Sequence, residues 1–166
     1  MSLADTLSII TPTEREIVIT RTFDAPRQRV FDAWTKPELL RRWFGPRGHV
    51  LVVCEVDLRV GGTWRYVLRG PGGSEMLLHG VFREIVAPVR LVSTEHNVDC
   101  DAAEGAETLT TTTFVEHAGR TTMTGQISYP SADIRDAVLR SGMRRGVGEA
   151  YDRLAEVLAA TGGPAA

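Results

Sequence analysis

The chain has 166 residues, 43% of them hydrophobic, which is enough for one domain with a substantial core. Its formal charge is −2 and its arginines are scattered rather than clustered, which argues against nucleic acid as the main partner. The apolar runs fall far short of a membrane span, so no membrane association is expected.

Residues 1–13 carry no charged segment followed by an apolar core and no clear periodicity, and are expected to form a flexible tail. Residues 14–160 are expected to form a single domain, and residues 161–166 a second tail. Cys54 falls in an apolar strand and Cys100 in a polar loop, with no CxxC spacing; reduced thiols and a cytoplasmic setting are expected.

Residues 14–23 alternate as a strand, with Ile17, Ile19 and Phe23 on one side. Pro26 suits the first position of a short helix whose apolar face is Val30, Phe31 and Trp34. Lys36-Pro37 ends it, because a residue before proline avoids the helical region. A second short helix begins at Pro37, carries Leu39, Leu40 and Trp43, and closes at Gly45-Pro46.

Six strands are predicted next. Residues 49–59 place Val50, Val52, Cys54, Val56 and Leu58 on one face, with Glu55, Asp57 and Arg59 opposite. Residues 63–69, 75–86, 90–95, 108–116 and 120–129 follow, joined by Pro71-Gly72-Gly73, Ala87-Pro88, the polar loop 97–106 and Ala118-Gly119. Threonines 110 to 113 suit a strand by β-branching.

Residues 131–160 read as one long helix. Ser131 is a good N-cap and Asp133 complements the helix dipole. Ile134, Val138, Met143, Val147, Ala150, Tyr151, Leu154 and Leu158 recur at helical spacing. Gly142, Gly146 and Gly148 interrupt this stretch at about 1 kcal/mol each, which implies close backbone approach or room for a guest. The element order gives an α+β fold: a curved antiparallel sheet of about six to seven strands wrapped around a long C-terminal helix, with two short helices after the first strand.

Trp64, Tyr66, Phe82, Phe114, Met123, Tyr129, Met143, Val147 and Tyr151 fall on the stripes facing between sheet and helix. By spacing alone they read as core. Glu55, Asp57, Arg59, Arg65, Arg69, Arg83 and Glu84 read as outer-face ion pairs, though the parity around Glu84 is ambiguous. His49, His79, His96 and His117 form no short metal-ligand pair, so no metal is expected. There is no nucleophile elbow, phosphate loop or dinucleotide fingerprint, and no cofactor or catalytic residue is assigned.

Several short runs, taken together in order, carry a family resemblance. They are Phe23-Asp24-Ala25-Pro26, Val30-Phe31, Trp34-Thr35, Pro37-Glu38-Leu39, Arg42-Trp43-Phe44-Gly45-Pro46 and Asp57-Leu58-Arg59-Val60-Gly61-Gly62-Thr63-Trp64. His79-Gly80-Val81-Phe82, Arg90-Leu91-Val92, Thr94-Glu95, Gly142-Met143, Gly146 and Tyr151-Asp152-Arg153-Leu154 complete the set. The chain resembles the START/birch-pollen-allergen (SRPBCC) superfamily with its helix-grip fold. Within that superfamily it is similar to the family of the activator of heat-shock protein 90 ATPase.

The resemblance implies a cavity between sheet and helix for a small apolar or amphipathic molecule, lined by the nine residues named above. It also implies two alternatives: a module that stimulates a heat-shock protein 90-type chaperone, and a cyclase- or hydrolase-like enzyme using the cavity. A monomer or homodimer is expected. The family often has tryptophan where Phe44 and Val147 stand. The second departure either enlarges the cavity or lets a neighbour such as Met143 fill the space.

Overall fold

The computed structural model describes residues 2–97 and 107–161. The expected loop beyond Asn97, Cys100 within it, and the tail after Thr161 lie outside those residues. Eight strands form one antiparallel sheet: β1 (Ser8–Ile10), β2 (Glu16–Phe23), β3 (Val50–Val56), β4 (Thr63–Arg69), β5 (Glu75–Val86), β6 (Arg90–Asn97), β7 (Thr108–His117) and β8 (Arg120–Ser128). Helices α1 (Arg27–Thr35) and α2 (Pro37–Trp43) follow β2, and α3 (Ala132–Arg140) and α4 (Met143–Thr161) end the chain.

The sheet order is β1-β2-β8-β7-β6-β5-β4-β3. Strands β3 to β8 pair antiparallel in sequence order, a meander. Helices α1 and α2 carry the chain from β2 across to β3 at the far edge, and β8 returns beside β2 in the register Glu16↔Ser128 through Phe23↔Thr121. Along β2 the inward side chains are Ile17, Ile19, Arg21 and Phe23, all buried. Arg21 is the polar exception: its guanidinium meets Asp152 of α4 at 2.8 Å and lies over the Phe23 ring.

Part of the expected N-terminal tail is ordered. Residues 3–6 form a 3-10 turn, capped reciprocally by Ser2 and Asp5. Strand β1 then extends the sheet, with Ile9 opposite Ile19 and buried. The Thr22 amide donates to Thr6 Oγ1, and Arg144 donates to the Ile9 carbonyl. A three-residue strand is too short to show a period, so tertiary pairing decides it.

The predicted single C-terminal helix is two. Gly142 stands at φ +83°, the left-handed conformation that ends a helix, and the Ser141 amide closes α3 onto the Val138 carbonyl. Ser141-Gly142 is therefore a stop signal. The remaining 19-residue α4 is about 28 Å long.

Two bulges change the expected faces. In β3 the register shifts between Leu51 and Val53, so Leu51 and Cys54 turn inward while Val50 is 58% exposed. Leu58 lies beyond the strand and is exposed. In β5 Leu78, Gly80 and Phe82 alternate inward, and the shift between Phe82 and Glu84 breaks that parity and leaves Glu84 outside, paired with Arg90 at 3.0 Å. The other outer-face pairs are Arg65–Glu55, Arg59–Asp57, Arg69–Glu75 and Arg83–Glu107.

At Gly80, β5 lies tight against the β6 backbone and the Trp64 indole. A Cβ there would stand 1.9 Å from the Thr94 carbonyl oxygen and 2.7 Å from Trp64 Nε1. Backbone cannot yield as a side-chain tip can, so Gly80→Ala is expected to cost about 2–4 kcal/mol. Urea unfolding should show a lower midpoint with an unchanged slope.

Candidate ligand cavity

The inner face of the sheet is read off strand parity. On β6 it is Leu91, Ser93 and Glu95; on β7 it is Thr110, Thr112 and Phe114; on β8 it is Met123, Gly125 and Ile127. Helix α4 crosses this face with Met143, Val147, Ala150 and Tyr151 at helical spacing. Between them lies a cavity of about 360 Å³. A second chamber of about 120 Å³ adjoins it, and Trp34, Phe44, Glu95, Thr110 and Thr112 line both.

Of the nine predicted residues, Met123, Met143, Val147 and Tyr151 line the larger chamber, and Trp64, Tyr66 and Phe82 the smaller. Phe114 lines neither: α1 covers it, and it is enclosed by the Phe31 and Trp34 rings at 5.7 and 5.8 Å. Tyr129 also lines neither, because it lies one residue past the end of β8. Val147 borders the larger chamber together with Met143, so the small side chain leaves volume there. A Cβ on Gly146 would stand 3.3 Å from Pro46 Cγ, and one on Gly148 3.6 Å from Leu7 Cδ2. Both glycines thus let neighbouring segments approach α4.

Helices α1 and α2 supply part of the cavity wall. Trp34 of α1 packs against Trp43 of α2 with the rings tilted and their centroids 4.8 Å apart, and meets Tyr151 edge-on at 5.6 Å. Phe44 continues the array to Tyr66 at 5.0 Å, and Tyr66 to Trp64 at 4.7 Å. These rings form a wall running from one chamber into the other. Sequence shows Trp34 and Trp43 only as helix faces and Phe44 only as part of a motif; contact across elements is invisible to periodicity.

Glu95, Thr110 and Thr112 also escape the sequence reading as lining residues. A signal for them exists: counting by two from Leu91 reaches Glu95, and counting back from Phe114 reaches Thr112 and Thr110. Glu95 is the one carboxylate among the described residues lining the chambers, and no lysine, arginine or histidine lines either. Burial pushes the Tyr66 phenol well above its ordinary pKa, with the charges of Cys54 and then Glu95 adding to it. Burial does the same for Tyr129, again helped by Glu95. Tyr151 is raised by burial, against the opposing effect of Arg21. All three phenols are therefore neutral hydrogen-bonding groups near pH 7. Thr110 Oγ1 and Trp64 Nε1 are buried without a hydrogen-bond partner among the described residues.

The loop after α2 is held against α4. Arg153 donates to the carbonyls of Gly45 at 2.9 Å, Pro46 at 3.1 Å and Arg42 at 3.3 Å. Burial, and next the Arg47 charge, lower its pKa. Arg47 in turn pairs with Glu156 at 2.6 Å. Gly45 and Pro46 line the larger chamber, so Arg153 positions one of its walls.

His79 and His96 stack across β5 and β6 at 5.2 Å, and His79 is exposed. Among the described residues no cluster of three or more His, Cys, Asp or Glu could hold a metal ion. Likewise, no helix among them is long and apolar enough to cross a membrane.

An antiparallel sheet closed by a C-terminal helix around a lined cavity is the helix-grip arrangement of the START-like superfamily. The family model of the Activator of Hsp90 ATPase homolog 1-like protein matches residues 24–159, and the chain belongs to that family. A crystal structure from Rhodobacter sphaeroides is 30% identical with a TM-score of 0.85, covering 93% of this chain and 99% of that one. A solution structure from Arthrobacter aurescens is 27% identical with a TM-score of 0.80, covering 93% and 92%. The crystal structure of the AHSA1 protein from Silicibacter pomeroyi, 21% identical, shares the fold at a TM-score of 0.73 over 88% of this chain and 99% of that one. No curated protein matches.

Arg153→Ala removes four donated hydrogen bonds, to the carbonyls of Arg42, Gly45, Pro46 and His49, and leaves carbonyls at the loop unpaired. It is expected to cost about 1–3 kcal/mol. Hydrogen exchange should show faster exchange confined to the α2–β3 loop and the facing turns of α4.

Proposed function

We propose that this protein binds a small apolar or amphipathic molecule between its sheet and α4. The cavity of about 360 Å³ carries this reading. Its walls are aromatic and aliphatic, with a few polar groups that can orient a guest, as in ligand pockets generally. A guest that hides about 300 Å² of apolar surface gains about 7 kcal/mol before ordering costs, so a dissociation constant of about 10 μM at the tightest, and weaker once those costs are subtracted, is expected.

Val147 supports the same reading, since it leaves open the space that a larger ring would fill. Cys54 is a buried free thiol whose pKa burial pushes up to about 11, so it is a poor nucleophile.

Native mass spectrometry of the purified protein should reveal a co-purified small molecule. Titration with the neutral dye N-phenyl-1-naphthylamine should give a saturable rise in emission. Val147→Trp places a large ring in the chamber and should weaken the dye about tenfold or more, with little change in melting temperature. A wild-type protein that carries no guest and takes up no dye would overturn the reading. So would dye binding that the Val147→Trp substitution leaves unchanged.

A further inference from the structure

The head group of the guest can be narrowed from the hydroxyls of the smaller chamber. This step rests on the cavity reading above. Tyr66 of β4, Ser93 of β6, and Thr110 and Thr112 of β7 all line that chamber, and the two threonines also border the larger one. Ser93 and Thr110 are direct partners across β6 and β7, and Thr112 lies two residues along on the same face, opposite Leu91. None of these four hydroxyls has a hydrogen-bond partner among the described residues, and Thr110 Oγ1 is buried in that state.

Elsewhere in the core, threonine hydroxyls are satisfied. Thr35 donates to the Phe31 carbonyl, Thr121 donates to the Ala25 carbonyl, and Thr94 accepts from the Val81 amide. Thr112 is buried as these are, yet has no such bond. Buried polar groups are ordinarily paired, so a cluster of exceptions around one hollow marks a place where the partner comes from outside the chain. Each hydroxyl can donate and accept, and an uncharged oxygen matches it. An ionised carboxylate would enter walls that hold no lysine, arginine or histidine among the described residues. A hydrocarbon end would leave the hydroxyls unmet. We infer that the guest carries an uncharged carbonyl or hydroxyl oxygen, seated in the smaller chamber at Ser93, Thr110 and Thr112, with its apolar body in the larger one.

The test compares two guests of one carbon skeleton, 4-phenyl-2-butanone and butylbenzene. Binding is followed by displacement of N-phenyl-1-naphthylamine and by calorimetry. The variant is Thr110→Val/Thr112→Val, which keeps the β-branched shape and removes both hydroxyls. The ketone should bind the variant about tenfold or more weaker than the unmodified protein, while butylbenzene stays within about twofold. Without a guest, the variant should melt no lower than the unmodified protein, because valine replaces hydroxyls that the described residues leave unpaired.

A ketone that binds both proteins alike would overturn the inference, as would a variant that weakens both guests equally. A lower melting temperature for the guest-free variant would show that the hydroxyls already have partners within the protein, with the same consequence. If the dye and butylbenzene bind but the ketone does not, the cavity reading stands and this inference falls. If no probe binds, the dye included, both fall.

Discussion

An α-helix with its side chains is about 10 Å wide. Eight strands at about 4.8 Å spacing span about 34 Å. The sheet in this protein has one apolar face, and α4 is the long helix available to cover it. That mismatch in width governs the structure. The sheet must curl toward the helix, and α1 and α2 must fill what the curl leaves open. The space that remains is the cavity. A wider cover would have produced a solid core, and a flatter sheet an exposed apolar face.

The same geometry explains where polar groups sit. Arg21 lies under α4 and is met by Asp152 from that helix, so its burial is accompanied by a partner and an aromatic face. Glu95 lies where the sheet and its cover part, on the wall of both chambers. A polar group beneath the helix depends on the protein alone for a partner, whereas one beside a void can also be met by whatever enters. Thr110 and Thr112 belong to the second kind of position, where β-branching satisfies the strand and a hydroxyl faces the chamber wall.

Much of the fold is legible because each strand is half-buried and so alternates. Residues 63–69 and 120–129 can be assigned to faces directly. Legibility fails where backbone geometry changes parity without changing composition. The bulge in β3 turns Leu51 inward and Val50 outward although both are apolar, so no pattern distinguishes them. Gly142 reads as a costly interior glycine because the apolar spacing continues across it, while its left-handed φ splits the helix. Most of the predicted cavity residues do line a chamber, because inward-facing aromatics on this sheet have nowhere else to point. Glu95 and the threonines escape notice for the opposite reason: a polar residue in a strand is ordinarily assigned to solvent, and here the inner face holds several.

The pairing of β2 with β8 also bears on how the chain is made. Glu16 has Ser128 as its partner, and Phe23 has Thr121, so the second strand to be synthesised waits for the last. Until then β2 offers an unpaired edge with Ile17, Ile19 and Phe23 uncovered, the kind of segment that associates with other chains. The meander from β3 to β7 can assemble as it emerges from the ribosome, but the ring of elements around the cavity closes only when β8 and α4 have left the exit tunnel. Truncated or stalled chains would therefore be exposed apolar sheets rather than partly active proteins, and the cell's burden from incomplete synthesis falls on this one late strand pair.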